Sequence, residues 1–284
     1  MIQQSNNKTT RKGQETLFAE SDVNFLRAYV EKNGIYPLFQ QVLIETRTDC
    51  NNNCPFCPHH FNDKPLGIMN WDTYKLIIDE LVNIGFSGRV ALMVSNEPLL
   101  DDRLIDMIVY VKEKTTRLFL DITTNGKILT LEMVDELFSH GLDNLNINDY
   151  RGDRTNSPEK ISSNLIPIEV AYKNNPKLTI QKRSYDEQLP NYGGNIPQEI
   201  SADANYGFCN FPFRKLVIDY SGNIILCCND FTSETSMGNI HHKSLIECWN
   251  DVVFNQYRDA LLRNERIGLC SKCNDGQDYN VFIS

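Results

Sequence analysis

The chain has 284 residues, 41% of them hydrophobic and 23% charged, with a formal net charge of −9. Such a composition supports a packed core, and the acidic balance excludes a dedicated nucleic-acid or acidic-membrane binder, which needs clustered Lys and Arg. No apolar run approaches the roughly 18 residues of a membrane span, and polar Met1 to Lys12 lacks the apolar stretch of a signal peptide, so a cytoplasmic chain is expected, with neither nucleic acid nor membrane as partner.

Residues 1–35 read as a polar N-terminal extension. Within it, Ser21 to Lys32 has the spacing of a short amphipathic helix, with Phe25, Leu26, Tyr29 and Val30 on one face, expected to cap the bottom of the main domain. Strand and helix patterns then alternate: strand Leu38 to Glu45, helix Trp71 to Asn83 opened by Asn70 or Asp72, strand Arg89 to Val94, helix Asp101 to Lys114 with acidic residues in its first turn, strand Leu118 to Thr123. Helix Leu131 to His140 stops at Gly141, strand Leu142 to Ile147 follows, Pro158 to Asn174 holds a weaker helix broken by Pro167, and Leu178 to Arg183 is a fifth strand. Alternation at this spacing means parallel strands with crossover helices. Five or six are too few for a closed eight-stranded barrel, so the fold class is α/β, a partial (β/α) TIM-like barrel over residues 36–195. Asn191 to Asn195, between Pro190 and Pro197, reads as a turn-rich linker. Residues 196–284 then form a small unit. It has a hairpin, Leu216 to Asp219 and Ile224 to Cys227, and a helix from Ser244 to Arg263.

Nine cysteines need a reason in a reducing compartment, and an odd number rules out complete pairing within the chain. Cys50, Cys54 and Cys57 lie on the loop after the first barrel strand, where such folds place their active sites. Three thiolates suit a [4Fe–4S] cluster with one iron left open; a zinc site completed by His59 or His60 is the alternative. Cys209, Cys227, Cys270 and Cys273 make a second, two-plus-two set, for which spacing leaves zinc ribbon and iron–sulfur both open. A small unit of this size often needs a metal. Cys248, beside Trp249, reads as a core thiol, and Cys228 as packing or as a hydrogen-atom donor.

The CxxxCxxC spacing, with aromatic Phe56 before its last cysteine, resembles the signature of the radical SAM enzymes, and further elements follow in order. Ser95-Asn96-Glu97-Pro98 resembles the family's Gly-Gly-Glu segment with both glycines replaced, which implies that Glu97 binds the amino group of S-adenosylmethionine. Thr123-Thr124-Asn125-Gly126 resembles the ribose-contacting segment; Asn146 and Asn148, and Arg183, are candidates for the ribose and the methionine carboxylate. The C-x12-G-x4-C layout of Cys209 and Cys227 resembles the family's twitch or SPASM extension, which implies a second, auxiliary [4Fe–4S] cluster. The likeness extends to a branch that oxidises an alcohol of an aminocyclitol. The chain departs from that branch at Tyr192, where an arginine stands, and at Asn229, where an acidic residue stands.

The resemblance implies an oxidoreductase that cleaves S-adenosylmethionine, takes a hydrogen atom from a carbon of a sugar- or aminocyclitol-like substrate and oxidises the alcohol to a ketone. A flavodoxin- or ferredoxin-type donor would supply the electron. Asp230, Asn229, Tyr192 and Arg183 are the candidates for holding substrate or taking its hydroxyl proton. Three alternatives remain: an epimerase with Cys228 or Cys248 as hydrogen donor, a peptide-modifying enzyme, and a zinc-binding interaction module.

Overall fold

The computed structural model describes residues 20–151, 160–185, 187, 189–198 and 208–275. The polar stretch 1–19, the start of the weaker helix expected at Pro158, and residues 276–284 lie outside them. In chain order the elements are α1 (Glu20–Asn33), β1 (Gln41–Ile44), α2 (Pro58–Phe61), α3 (Trp71–Asn83), β2 (Arg89–Ala91), α4 (Leu104–Lys114), β3 (Phe119–Thr124), α5 (Leu131–Ser139) and β4 (Asn144–Arg151). There follow α6 (Ile166–Ala171), β5 (Leu178–Ser184), α7 (Phe211–Arg214), β6 (Lys215–Ile218), β7 (Ile224–Ile225), α8 (Leu245–Trp249), α9 (Val252–Leu262) and α10 (Gly268–Ser271).

The strands form one sheet in the order β5-β4-β3-β2-β1-β6-β7. Its first six are parallel, and β7 pairs antiparallel with β6 at the edge. This is the partial, open TIM-like barrel the alternation predicts. The hairpin, however, does not stand apart: its first arm, β6, is the sixth parallel strand, with Gln41 opposite Lys215 and Ile44 opposite Ile218.

Alternation along each strand divides the sheet into two faces. Val42, Ile44, Val90, Leu120, Ile122, Leu145, Ile147, Leu216 and Ile218 point to the helices and are buried with them in the main core. On the inner face, Leu43, Ala91, Val217 and Ile225 form a small apolar patch, joined by Cys228. Helix α3 buries Tyr74, Ile77, Ile78 and Leu81, an i, i+3, i+4, i+7 stripe, and its Asn70 side chain accepts from the Asp72 N–H.

Several expected helices change at their ends for local reasons. The helix expected from Asp101 begins at Leu104, because Pro98–Leu100 makes one 3₁₀ turn and the Asp101 carboxylate accepts from the Arg103 N–H. Pro167 sits in the first turn of α6 and starts that helix instead of breaking it. The long C-terminal helix is two, split where Asp251 caps α9 by accepting from the Val253 N–H. Arg258 then fastens the pieces: fully buried, it donates to the carbonyls of Pro212 (2.8 Å) and Trp249 (2.6 Å) and lies 3.9 Å from the Trp249 ring centre. Helix α1 docks where β1 and β6 begin, Leu26 packing with Tyr36, Phe213 and Leu261, but Phe25 of its expected apolar face is exposed.

Candidate active site

The loop Cys50 to Cys57 leaves the C-terminal end of β1. Its three asparagines are tied to different elements. Asn51 Oδ1 accepts from Asn125 Nδ2 (2.7 Å), and its carbonyl from Lys127 Nζ (2.9 Å). Asn52 Oδ1 accepts from the Tyr185 hydroxyl (3.1 Å), and its Nδ2 faces Cys54 Sγ (3.2 Å). Asn53 Oδ1 bonds His60 Nδ1 (2.9 Å). Cys57 precedes α2, with Pro58 in the first turn. His59 bonds the Ser95 carbonyl and stands edge-on to Phe231 at 4.8 Å between ring centres. Burial, reinforced by the neighbouring thiols, pushes the Cys54 thiol up to about 12 and the Cys57 thiol up to about 11.

Glu97 follows β2 and is 1% exposed. It caps the 3₁₀ turn through the Leu99 N–H (3.1 Å) and also accepts from the Thr124 hydroxyl (2.6 Å) and the Asn125 N–H (2.8 Å). Its own N–H donates to the Asp49 carbonyl (2.9 Å), and Asn125 Nδ2 faces Cys50 Sγ (3.6 Å). Glu97, Thr124 and Asn125 thus lock the ends of β2 and β3 to the cysteine loop. Burial raises the Glu97 pKa, and these hydrogen bonds oppose the rise.

The remaining candidates on the strands are spread out. Asn146 Nδ2 donates to Asp121 (3.1 Å), which also takes Arg89 and Asn144, so Asn146 belongs to a polar layer deeper in the barrel. Asn148 is the next residue along the same inner face, half-buried. Arg183 is clamped to Glu187 (Nε to Oε2, 2.8 Å) and lies 5.8 Å from the centre of the Tyr150 ring. Phe56 is buried against Tyr150 (5.4 Å between ring centres) and Tyr185 (6.5 Å), which makes an aromatic wall beside the cysteine loop.

Cys209, Cys227, Cys270 and Cys273 line one cavity, together with Gly193, Phe211, Asn229 and Leu269. Burial pushes the Cys209 and Cys270 thiols up to about 12 and the Cys227 thiol well above its usual value. Among the described residues no three of His, Cys, Asp or Glu close on a point as a single ion requires; the four thiols stand around a space.

The segment read as a linker is a fixed turn at this cavity. Asn191 is buried; its N–H donates to Asn274 Oδ1 (2.7 Å), its Oδ1 accepts from the Asn274 N–H (3.1 Å), and its Nδ2 donates to the Lys272 carbonyl (2.8 Å). Tyr192, Gly193 and Gly194 all take left-handed conformations, with φ of 48°, 64° and 91°. On the other side, the Asn195 carbonyl accepts from Asn62 Nδ2 (2.7 Å), just after α2. The turn therefore ties the first cysteine loop to the last one. Burial raises the Tyr192 phenol well above its ordinary pKa, and Cys57, Tyr150, Cys228 and Asp275 all add to the rise. Tyr192 thus stands on the turn that links the two cysteine groups.

Asp230, expected near substrate, is spent elsewhere. Its carboxylate accepts from the N–H groups of Glu234 (2.8 Å) and Thr235 (3.0 Å) and holds the turn after β7. Asn229 is buried at the cavity, donating to Asp275 Oδ2 (2.7 Å) and facing Cys273 Sγ (3.8 Å). Cys228 joins the inner-face patch, whereas Cys248 is fully buried beneath Gly238, away from the site. Two acids escaped the sequence reading. Asp275 is 4% exposed, and only its place two residues after the last cysteine hinted at it. Glu45, 1% exposed at the end of β1, pairs with Lys64 (2.7 Å), whose Nζ lies 5.0 Å from the Phe231 ring centre.

Residues 44–148 match the radical SAM superfamily, and residues 209–274 match the SPASM iron–sulfur cluster-binding domain. The chain is 28% identical over 244 residues to S-adenosyl-L-methionine-dependent 2-deoxy-scyllo-inosamine dehydrogenase of Niallia circulans, covering 84% of this chain and 94% of that one. It is 27% identical over 183 residues to AdoMet-dependent heme synthase of Methanosarcina barkeri, covering 59% and 50%. The crystal structure of BtrN in complex with AdoMet and 2-DOIA superposes with a TM-score of 0.74 at 25% identity, over 85% of this chain and 95% of that one. No helix among the described residues is long and apolar enough to cross a membrane. The chain belongs to the radical SAM superfamily, with a SPASM-type iron–sulfur domain after the barrel, and its cofactors are S-adenosylmethionine and [4Fe–4S] clusters.

Proposed function

We propose that this enzyme oxidises a secondary alcohol of a polyhydroxylated ring, a sugar or an aminocyclitol, to a ketone, with electrons from a flavodoxin- or ferredoxin-type donor. The observation that supports the reading is the turn that carries Tyr192, which ties the two cysteine groups together, with Asn229 and Asp275 paired at the second of them. Cys50, Cys54 and Cys57 are assigned to the cluster that binds S-adenosylmethionine, and Cys209, Cys227, Cys270 and Cys273 to the auxiliary cluster. The all-thiol donor set and the space between the latter four suit a polynuclear cluster. When bound, these groups supply one electron to cleave the sulfonium, a hydrogen-atom acceptor for the substrate carbon, and a sink for the second electron.

The protein's part is to bind and orient. Glu97, Thr124 and Asn125 shape the cofactor end of the barrel, and Phe56, Tyr150 and Tyr185 wall it from water. Arg183 offers its guanidinium to the methionine carboxylate by releasing Glu187, and Asn148 is better placed than Asn146 for the ribose. Tyr192 and Asn229 hold the substrate hydroxyls. The domain division at residue 195 follows the Asn191–Asn195 turn, although β6 extends the barrel sheet beyond it.

A second reading has one observation in its favour. Cys228 faces the barrel interior with Leu43, Val217 and Ile225, where a thiol can return a hydrogen atom and give an epimer. The test is anaerobic reconstitution, an iron count, and substrate-dependent release of 5′-deoxyadenosine across sugars, aminocyclitols and peptides. A ketone free of solvent deuterium supports the dehydrogenase, and carbon-bound deuterium lost in Cys228→Ser supports the epimerase. Colourless protein with stoichiometric zinc would end both.

A further inference from the structure

Of the three asparagines between Cys50 and Cys54, one points its amide at sulfur. The Asn53 N–H (3.2 Å) and the Tyr185 hydroxyl (3.1 Å) both donate to Asn52 Oδ1, and since a backbone N–H can only donate, this fixes which end of the carboxamide is which. Nδ2 is left facing Cys54 Sγ at 3.2 Å. Cys54 is 7% exposed, so little water competes for that sulfur. The other side-chain amide near this loop's sulfurs, Asn125 Nδ2, is more distant from Cys50 (3.6 Å) and is shared with Asn51 Oδ1 (2.7 Å).

We infer that Asn52, oriented by Tyr185, sets the reduction potential of the cluster carried by Cys50, Cys54 and Cys57; this rests on the cluster assignment above. An N–H donated to a cysteinate draws charge off the sulfur. The reduced cluster carries one more negative charge than the oxidised one and gains more from the donor, so the donor raises the potential. Tyr185 acts through Asn52, as a positioning residue.

The experiment is an EPR-monitored redox titration of anaerobically reconstituted Asn52→Leu and Tyr185→Phe beside the parent enzyme. Asn52→Leu removes the donor at similar size, and its midpoint falls by about a tenfold change in the reduced-to-oxidised ratio, 59 mV for one electron. Tyr185→Phe leaves Asn52 Oδ1 held by the Asn53 N–H alone, which loosens the amide, and its midpoint falls in the same direction by less. The auxiliary cluster holds its midpoint in both variants, because the N–H groups that face Cys273 Sγ come from the Asp275 backbone (3.4 Å) and Asn229 Nδ2 (3.8 Å), which neither variant changes. A normal iron content with an unmoved or raised first midpoint in both variants overturns the inference and leaves the functional reading intact. If Asn52→Leu fails to load, Tyr185→Phe decides alone. A parent enzyme that takes up no iron overturns the reading and the inference together.

Discussion

Gly193→Ala tests whether the left-handed turn seats on the last cysteine loop. Gly193 has φ of 64°, and a Cβ there would come within 2.9 Å of Leu269 Cδ1 and 3.3 Å of the Asn229 carbonyl. Two costs follow. Holding an L-residue in the left-handed region costs roughly 1–2 kcal/mol, and forcing a methyl into a packed contact costs about 1–3 kcal/mol. Gly85 supplies the control, since its φ is 70° and nothing lies within 4 Å of a Cβ there. Gly85→Ala therefore carries the backbone cost alone. The expected excess of Gly193→Ala over Gly85→Ala is about 1–3 kcal/mol, and in a chain this large each 1 kcal/mol lowers the thermal midpoint by roughly 2–4 °C. Leu269→Ala adds a second discrimination: it makes its own cavity, but in that background Gly193→Ala should cost only the backbone share. Because Leu269 precedes Cys270 directly, Gly193→Ala should also lower the iron retained by the auxiliary site and leave the first cluster's signal intact. Equal midpoints for Gly193→Ala and Gly85→Ala, with full iron in both, would refute the seating of this turn on the cysteine loop.

Three further outcomes are expected. The cluster-free chain loses stability as pH rises: unfolded thiols ionise from about pH 8.5, whereas folded Cys54, Cys209 and Cys270 hold their protons to about 12, so across that window the folded state binds more protons. Denaturant midpoints of cluster-free protein at pH 7.5 and 10 check this, and a flat or rising profile contradicts the burial of those thiols. Asp230→Ala unpairs the Glu234 and Thr235 N–H groups and costs about 1–3 kcal/mol, while turnover per loaded iron stays near the parent value; a collapse of that normalised turnover would return Asp230 to the chemistry. Lys64→Met strands the buried Glu45 carboxylate and costs about 3–5 kcal/mol, most of which the double variant with Glu45→Gln recovers in the same unfolding assay.

Where local rules were enough, the chain could be read directly. The helix from Trp71 to Asn83 with its Asn70 cap and the strand expected at Leu118 to Thr123 depend on neighbours in sequence, and both appear within a residue of their expected ends, whereas β4 starts two residues later than expected and runs on to Arg151. The cysteine spacings needed no fold to be recognised. What was illegible depends on pairings across long stretches of chain. The hairpin read as a separate unit because nothing near Leu216 announces that its partner is Val42, over 170 positions earlier. Asp230 and Asp275 look alike in sequence as acids close to cluster cysteines. Only the fold shows that one is absorbed by a turn and the other faces Asn229. Arg183 is a free guanidinium in the sequence and half of an ion pair in the structure.

The Ser95-Asn96-Glu97 segment shows how the fold absorbs a departure from the family motif. Glycines would allow this turn after β2 by lacking side chains. Here the side chains build it: Asn96 Oδ1 accepts from the Val94 N–H (2.9 Å), and the Ser95 carbonyl is held by His59 from the cysteine loop. The turn is thereby bound to α2 at one end and, through Glu97, to Thr124 and Asn125 at the other. A segment that glycines would leave permissive becomes a brace between the first cysteine loop and the ends of β2 and β3. The Glu97 carboxylate has both oxygens committed to that brace, so the role proposed for it toward S-adenosylmethionine is inseparable from its contribution to the shape of the site. Removing it should disturb the cysteine loop, read as cluster content after anaerobic reconstitution; Glu97→Gln keeps one acceptor toward Thr124 but sets its own N–H against that of Asn125, so its cluster content should fall between those of the parent and Glu97→Ala, and full content in both variants would refute the brace.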